Sequence, residues 1–348
     1  MSSSEKQTVL VIGGTGAQGT PVVKALTKDS AYNVRILTRS TTSPSAQALA
    51  SLPGVTILAG SPFNEASLHT ALSGSSIVFA NTNGFAVGEK AEIYWGIRIY
   101  ELAREHNVKH FIWSSLDSSY EISGYQPRFR TGHFDGKAKV ERWISTQDSK
   151  AMKWSFITSC LYMEMLGQTL GPVKEKGEDG EEVFVFAAPV GSGSPPLICL
   201  DDLGEYARWI IDHPEKSNEM NLRLATEHVG WEYLAKTFTE VTGKKAVFRD
   251  LTLDEYFASG VFSDPDRKVG HSVEKNDETL QTFRQNFGNF WNTWKEDVIL
   301  RDTKVLDEIL PNRIRTVGEW MRLTGYTGEK TAVTKDYRDG VMAARKAS

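Results

Sequence analysis

The chain contains two cysteines among its 348 residues, Cys160 and Cys199, which are too few for a disulfide framework. It also lacks any Cys-x-x-Cys pair and any cysteine and histidine spacing typical of zinc sites. The first apolar run, Thr8 to Ile12, is too short for a signal peptide or a membrane helix. These absences predict a protein of a reducing compartment with no structural metal and no membrane segment, and we expect it in the cytoplasm.

No excess of one charge exists either. Forty basic side chains stand against forty-four acidic ones, for a net charge of -4. This balance gives no general support for binding nucleic acid through phosphate contacts, so we expect no direct nucleic-acid partner. Any anion must be held by a local site. Hydrophobic residues make up 40% and charged residues 24%, which is ordinary for a globular protein and predicts about two domains at this length.

Short apolar runs recur through the first half of the chain and alternate with helical segments. Each run is nearly continuous in apolar residues, as expected for strands covered on both faces. This pattern predicts an α/β fold with a Rossmann-type, doubly wound parallel sheet. The predicted strands are 9–12, 33–38, 55–58, 77–80, 108–114 and 154–158.

The regular alternation of apolar runs and helical segments ends after residue 160. We therefore predict a Rossmann-type domain over 1–160, a smaller mixed α/β lobe over 161–326 from which the chain could cross back to the sheet, and a polar, loosely docked tail over 327–348. A helix is expected to start with Asp201 or Asp202 as its N-cap and to end near Ile211. The other predicted elements of the second lobe are a strand at 183–186 and helices at 230–242, 276–294, 302–309 and 316–323.

A glycine-rich turn follows the first predicted strand and opens a helix. Its glycines fit two overlapping registers, Gly14-x-Gly16-x-x-Gly19 and Gly13-x-x-Gly16-x-x-Gly19, which spacing alone does not separate. Both predict a dinucleotide, because glycines allow a tight turn and bring backbone N–H groups close to a pyrophosphate. After the second strand, where NAD-binding proteins carry an acid, the chain has Arg39. A guanidinium suits a 2′-phosphate, so the favoured cofactor is NADP(H).

At this point the chain resembles the NmrA-like group of atypical short-chain dehydrogenases/reductases, which includes the HSCARG-type NADPH sensors. The resemblance covers about residues 6–325. The motifs that carry it are the turn from Gly13 to Gly19, Arg39, Trp113-Ser-Ser115, His133-Phe-Asp-Gly-Lys137 and Leu161-Tyr-Met-Glu164.

The resemblance implies a set of cofactor contacts. Ser61, Pro62 and Phe63 would border the adenine, and Asn81 and Thr82 the ribose or the nicotinamide end. Ser61 departs from the aspartate that is usual there, which weakens an expected hydrogen bond to adenine. The remaining implied cofactor contacts are Gly13, Thr15, Gly16, Ala17, Gln18, Gly19, Arg39 and Lys137.

The proton donor is the open question. Short-chain reductases place a tyrosine four residues before the lysine, on one helix face, where the cation lowers the pKa of the phenol. Here His133 stands four residues before Lys137. His133 could titrate near neutrality, Ser115 could orient a carbonyl, and a hydroxyl could come from Tyr162. Tyr120 and Tyr125 are further sources of a hydroxyl.

A stripe of aromatic residues follows at helical spacing in the second lobe. It fits core packing, or else a wall beside the nicotinamide for a planar substrate such as a quinone. Its members are Phe283, Phe287, Phe290, Trp291 and Trp294.

Two functions remain in competition. The first is an NADP(H)-dependent oxidoreductase that reduces a small carbonyl or quinone-like molecule, with Lys137, His133, Ser115 and Tyr162 as the candidate catalytic residues. The second is a non-catalytic NADP(H) redox sensor that regulates a protein partner such as a transcription factor, which would extend the expected location to the nucleus. A weaker third hypothesis is an interaction module that keeps the nucleotide for stability.

Overall fold

The computed structural model of the chain describes residues 6–270 and 277–334. Its strands are β1 (Thr8–Ile12), β2 (Asn33–Thr38), β3 (Val55–Ala59), β4 (Ile77–Ala80), β5 (His110–Ser115), β6 (Lys153–Thr158), β7 (Leu161–Tyr162), β8 (Val173–Lys176), β9 (Glu182–Ala188), β10 (Pro196–Ile198), β11 (Asn221–Arg223), β12 (Glu227–His228) and β13 (Ala246–Asp250).

Helices connect these strands, together with two short 3-10 helices at Pro127–Phe129 and Met163–Gly167. The α-helices are α1 (Gly19–Thr27), α2 (Pro44–Ala50), α3 (Glu65–Leu72), α4 (Gly84–Glu105), α5 (Ser119–Ile122), α6 (Gly132–Ile144), α7 (Leu200–Asp212), α8 (Pro214–Ser217), α9 (Trp231–Thr242), α10 (Leu253–Ala258), α11 (Phe283–Lys295), α12 (Lys304–Ile309) and α13 (Val317–Thr324).

Seven parallel strands form the main sheet in the order β11-β6-β5-β4-β1-β2-β3. Successive residues of a strand point to opposite faces, and β1 shows the result. Val9 and Val11 pack with α1 and α7 on one face, whereas Leu10 and Ile12 pack with α3, α4 and α6 on the other. The doubly wound Rossmann-type sheet that the apolar runs predict is therefore confirmed.

Two smaller sheets, β12-β10-β7 and β13-β9-β8, belong to the second half of the chain. Their core is rich in aromatic residues and includes Phe184, Phe238, Trp291 and Trp320. The division at residue 160 stays a prediction. Both β11 and α7 follow that point in the sequence, yet β11 adds to the edge of the parallel sheet and α7 packs against α1.

Helix starts in this half differ from the expected ones. The N-cap of α7 is Cys199 rather than an aspartate, because the Glu164 carboxylate accepts the hydrogen bond of the Leu200 N–H at 3.0 Å. Helix α11 begins at Phe283, several residues later than expected, because Thr282 and Gln285 form a capping box. The expected start at residue 276 lies outside the described residues.

The expected C-terminal tail is described as far as residue 334. In this part Thr331 N donates to Gly167 O at 2.6 Å, and the Gln168 Oε1 accepts from the backbone N–H groups of Val333 and Thr334, both at 3.1 Å. The Val333 side chain is buried. Residues 327–334 are thus packed against the fold, and 335–348 lie outside the described residues. Over the described chain, no helix has the length and apolar character that a membrane crossing needs.

Candidate functional site

A cleft of about 370 Å³ opens at the carboxyl ends of the parallel strands. Strand order reverses direction between β1 and β4, so the loops that follow these two strands diverge and leave a crevice. Ligands of doubly wound sheets bind at such a point. The residues that line the cleft are Gly13, Thr15, Gly16, Ala17, Gln18, Leu37, Thr38, Arg39, Pro62, Phe63, Asn81, Thr82, Asn83, Gly84, Phe85, Ala86, Ser114, Leu116, His133, Lys137, Ser159, Tyr162 and Thr334.

Most of the residues predicted from the sequence meet in this cleft. Among the predicted cofactor-binding and catalytic residues, Gly19, Ser61 and Ser115 do not line it, and neither do the further tyrosines Tyr120 and Tyr125. Among the lining residues, which are all described, the charged side chains are Arg39 and Lys137, and none is a carboxylate. Within the described ranges, no group of three or more histidine, cysteine, aspartate or glutamate side chains could hold a metal ion.

The glycine turn is built by close backbone approaches. Gly13 has a φ of 80°, and a Cβ there would lie 2.5 Å from the Asn81 carbonyl oxygen. A Cβ at Gly19 would lie 2.2 Å from the Gly13 carbonyl oxygen, so a side chain at either position would break the turn. Among the residues that the structure describes, none caps helix α1 with a side-chain hydrogen bond, and the helix has no acid in its first turn. Its N-terminus therefore favours an anion.

Gln18 connects this turn to β5. Its Oε1 accepts a hydrogen bond from Ser114 Oγ at 2.6 Å, and its Nε2 is buried with no hydrogen-bond partner among the described residues. Ser115, the predicted candidate, is fully buried and its Oγ donates to the Leu116 carbonyl at 3.4 Å. Neighbouring strand residues face opposite ways, and Ser114 rather than Ser115 lines the cleft, so a role of Ser115 in orienting a carbonyl stays a prediction.

The β2 side of the cleft holds Arg39. Its side chain is exposed, and no described residue forms an ion pair or hydrogen bond with the guanidinium in the structure. Pro62 and Phe63 line the same end. Ser61 instead shapes their loop, since its Oγ accepts the Phe63 N–H at 3.1 Å, and this use of the hydroxyl explains why it does not face the cleft.

Lys137 lies on α6 at the opposite, β4 side, and is nearly buried. Its Nζ contacts four oxygens: Asn81 Oδ1 at 3.2 Å, the Thr82 carbonyl at 3.0 Å, Thr82 Oγ1 at 3.3 Å and Glu92 Oε1 at 3.1 Å. It also lies 5.1 Å from the centre of the Trp113 ring. These contacts hold the ammonium group in one position on the floor of the cleft, where it provides a fixed positive charge.

His133 lies one turn before Lys137 and is buried. The side-chain amide of Asn286, on α11, lies within 3.0 Å of its Nδ1, and the Phe85 ring lies 4.5 Å away. Burial lowers the pKa of His133 to about 4, and the Lys137 charge acts in the same direction. The imidazole is therefore neutral at pH 7 and can donate only its own ring N–H.

Tyr162, at the end of β7, lines the cleft beside Ser159. Burial raises the pKa of Tyr162 to about 12, so the phenol keeps its proton at neutral pH. Tyr120 and Tyr125 pack edge to face against each other at 5.3 Å and do not line the cleft. Of the tyrosines considered from the sequence, Tyr162 alone lines the cleft in the described structure.

The aromatic stripe of α11 divides into two parts. Phe290, Trp291 and Trp294 are core residues of the second lobe. Phe287 stacks on Phe85 at 5.7 Å with the rings 7° from parallel, and Phe85 lines the cleft. Helix α11 therefore supports the wall of the cleft from behind and contributes no lining residue to it.

Sequence reasoning missed several residues of the site. Glu92, fully buried on α4, pairs with Lys137. Ser159 directly follows β6, and Phe85 lies in the first turn of α4, which is the helix after β4, so their closeness to the carboxyl ends of these strands was an available signal. Thr334 reaches the cleft from the C-terminal segment, for which no local pattern exists.

We compared the chain with models of known protein families. Residues 5–321 match the model of the NmrA-like family. The chain belongs to the NmrA-like family. An NmrA-like family domain-containing oxidoreductase of Aspergillus hancockii, hkm9, is 30% identical over 260 residues, which cover 72% of this chain and 76% of the relative. The corresponding malD protein of Malbranchea aurantiaca is 30% identical, over 69% of this chain and 74% of the relative.

Solved structures show the same fold. NmrA, described as a negative transcriptional regulator in complex with NADP, aligns with a TM-score of 0.69 at 19% identity, over 92% of this NmrA-like chain and 95% of its own. An NADPH-dependent quinone oxidoreductase of Escherichia coli, complexed with NADPH, aligns with a TM-score of 0.67 at 19% identity, over 91% of this chain and 100% of its own.

Proposed function

We propose that this protein is an NADP(H)-dependent oxidoreductase that transfers hydride to a quinone or a similar small carbonyl compound. The observation that carries the proposal is the charge of the cleft: its lining has one cation at each end, Arg39 and Lys137, and no carboxylate among the described lining residues. A dinucleotide with an extra phosphate needs such a cleft, whereas the acid that holds the ribose of NAD is absent after β2.

The residues present fit this cofactor. The uncapped start of α1 and the buried Gln18 Nε2, which has no acceptor among the described residues, would hold the diphosphate. The Arg39 guanidinium, which no described residue engages, would hold the 2′-phosphate. Lys137, together with Asn81, would hold the ribose near the nicotinamide. When bound, the cofactor supplies or accepts a hydride.

The chain's own residues then bind and orient the substrate. Tyr162 keeps a phenolic proton with which its Oη can donate a hydrogen bond to a substrate oxygen. The neutral ring N–H of His133 is a second such donor, and the Lys137 charge stabilises negative charge that develops nearby. Phe85, held parallel to Phe287, offers a flat apolar face for a planar ring.

The comparisons support this proposal. The two relatives at 30% identity are both described as oxidoreductases. The quinone oxidoreductase of Escherichia coli, which shares the fold, is described as NADPH-dependent. A quinone matches the aromatic wall that Phe85 provides.

A second function has specific support. In the described site, the tyrosine that short-chain reductases place four residues before the lysine is replaced by His133. This histidine is neutral at pH 7, because burial lowers its pKa to about 4. The structural neighbour NmrA is described as a transcriptional regulator in complex with NADP. A non-catalytic NADP(H) sensor of the HSCARG type, acting on a protein partner, is therefore the competing proposal.

One assay separates the two. Purified protein is incubated with NADPH and a panel of quinones, aldehydes and enones, and the absorbance band of the reduced nicotinamide is followed. Steady consumption that Lys137→Ala abolishes supports the oxidoreductase. Tight NADPH binding without turnover of any compound contradicts it and supports the sensor. Failure to bind NADPH would refute both.

A further inference from the structure

A buried ion pair lies directly beneath the Lys137 end of the cleft. Glu92 is completely buried, and its Oε1 lies 3.1 Å from Lys137 Nζ. The Thr82 hydroxyl joins the two, because it donates to Glu92 Oε1 at 2.7 Å and accepts from Lys137 Nζ at 3.3 Å. Lys137 lines the cleft but Glu92 does not, so a ligand in the cleft meets the cation with its counter-charge behind it.

The fold holds the Glu92 carboxylate in one position. A Cβ at Gly84 would lie 2.2 Å from Glu92 Oε2, and one at Gly136 would lie 3.2 Å from the same atom. Both glycines leave room for the carboxylate between α4 and α6. Oε2 has no hydrogen-bond partner among the described residues. The group that compensates for its buried charge is therefore Lys137, and removal of either partner leaves the other uncompensated.

The two redox forms of the cofactor differ in charge at this end. The oxidised nicotinamide ring carries one positive charge and the reduced ring carries none. A Lys137–Glu92 pair with zero net charge affects the two forms almost equally, whereas an uncompensated lysine repels the oxidised ring. We propose that Glu92 sets the relative affinity of this cleft for NADP⁺ and NADPH by neutralising Lys137. This inference rests on the proposed NADP(H) site but holds for enzyme and sensor alike.

Other charges near the pair do not replace Glu92. His133 is neutral at pH 7, since burial lowers its pKa to about 4. Glu89, one turn earlier on α4, is engaged by Arg130 at 2.6 Å and Lys139 at 2.5 Å, and none of these three lines the cleft.

The test measures the dissociation constants of NADP⁺ and NADPH at pH 7 by calorimetry, each on the same preparation of full-length protein. In Glu92→Gln we expect the ratio Kd(NADP⁺)/Kd(NADPH) to rise about tenfold, equivalent to about 1.4 kcal/mol. In Lys137→Met, where the carboxylate is left alone, the ratio should fall by a similar factor. The double variant should return the ratio towards that of the wild type.

The opposite signs separate an electrostatic role from a structural one. If Glu92 has only a structural role, Glu92→Gln should weaken the binding of both nucleotides equally. An unchanged Kd ratio would therefore overturn the inference. The ratio does not depend on the folded fraction, so partial unfolding of a variant leaves it readable. Glu89→Gln is the matched control and should leave the ratio unchanged; an equal rise there would also overturn the inference. If the wild type binds neither nucleotide, the proposed function itself fails.

Discussion

Replacing Arg39 with alanine removes an exposed guanidinium that no described residue engages. The substitution therefore costs the folded protein little, and its effect falls on a ligand at the β2 end of the cleft. A hydrogen bond to a charged group contributes about 1.5–3 kcal/mol, which corresponds to about a 10- to 150-fold change in affinity. Because solvent screens an exposed pair, we expect Arg39→Ala to weaken NADPH binding towards the lower end of that range.

Titration of the reduced-nicotinamide fluorescence measures this effect. NADH, which lacks the 2′-phosphate, should bind the wild type and Arg39→Ala with nearly equal affinity. Arg322→Ala, which removes another exposed arginine outside the cleft, is the control for overall charge and should change neither affinity. Equal losses for NADPH and NADH in Arg39→Ala would refute the assignment of the 2′-phosphate to this residue.

Three further predictions concern buried ionisable groups. Burial raises the pKa of Glu164 from 4.5 to about 7, so the free energy of unfolding falls as the pH rises between these values. In urea titrations, Glu164→Gln should raise the free energy of unfolding at pH 8 by up to about 3 kcal/mol and leave it unchanged at pH 4. Neither His133 nor Tyr162 should add an inflection to kcat/KM between about pH 5.5 and 7.5, because the pKa of His133 lies near 4 and that of Tyr162 near 12. A step in this range that His133→Gln removes would contradict this. Asp117→Ala should lower the free energy of unfolding in urea by about 3–5 kcal/mol, because it leaves the buried charge of Arg301 uncompensated. A loss below about 1 kcal/mol would be inconsistent with a stabilising role of that pair.

Local patterns were sufficient for the sheet and for one half of the cleft. Buried parallel strands are continuous in apolar residues, and the glycine turn immediately follows such a strand, so β1, β2 and the start of α1 could be predicted. Arg39 follows β2 directly and takes its place in the cleft from that strand. These residues lie within one βαβ unit, where sequence distance and spatial distance agree.

The other half of the cleft depends on contacts that no local pattern encodes. Glu92 meets Lys137 only because α4 and α6 pack side by side, and a lone acid on a helix gives no signal of its partner. Asn286 reaches His133 across 153 positions. Ser114 and Ser115 show a different limit: strand periodicity places them on opposite faces, yet the sequence does not say which face meets the cleft.

The two candidate hydrogen-bond donors near Lys137, Tyr162 and His133, are both weak acids at neutral pH, and this favours one class of substrate over another. Hydride addition to an aldehyde produces an alkoxide, which is far more basic than a phenolate and needs a proton as it forms. Hydride addition to a quinone produces a hydroquinone anion, whose basicity is close to that of a phenol with a pKa of about 10. The neutral donors of Tyr162 and His133, aided by the Lys137 charge, can stabilise that anion through hydrogen bonds without transferring a proton. Quinones should therefore be reduced faster than aldehydes in the substrate panel, because an alkoxide would need the proton of Tyr162 whereas a hydroquinone anion would not. Reduction of simple aldehydes as fast as that of quinones would refute this preference, and loss of that activity in Tyr162→Phe would identify Tyr162 as the proton donor.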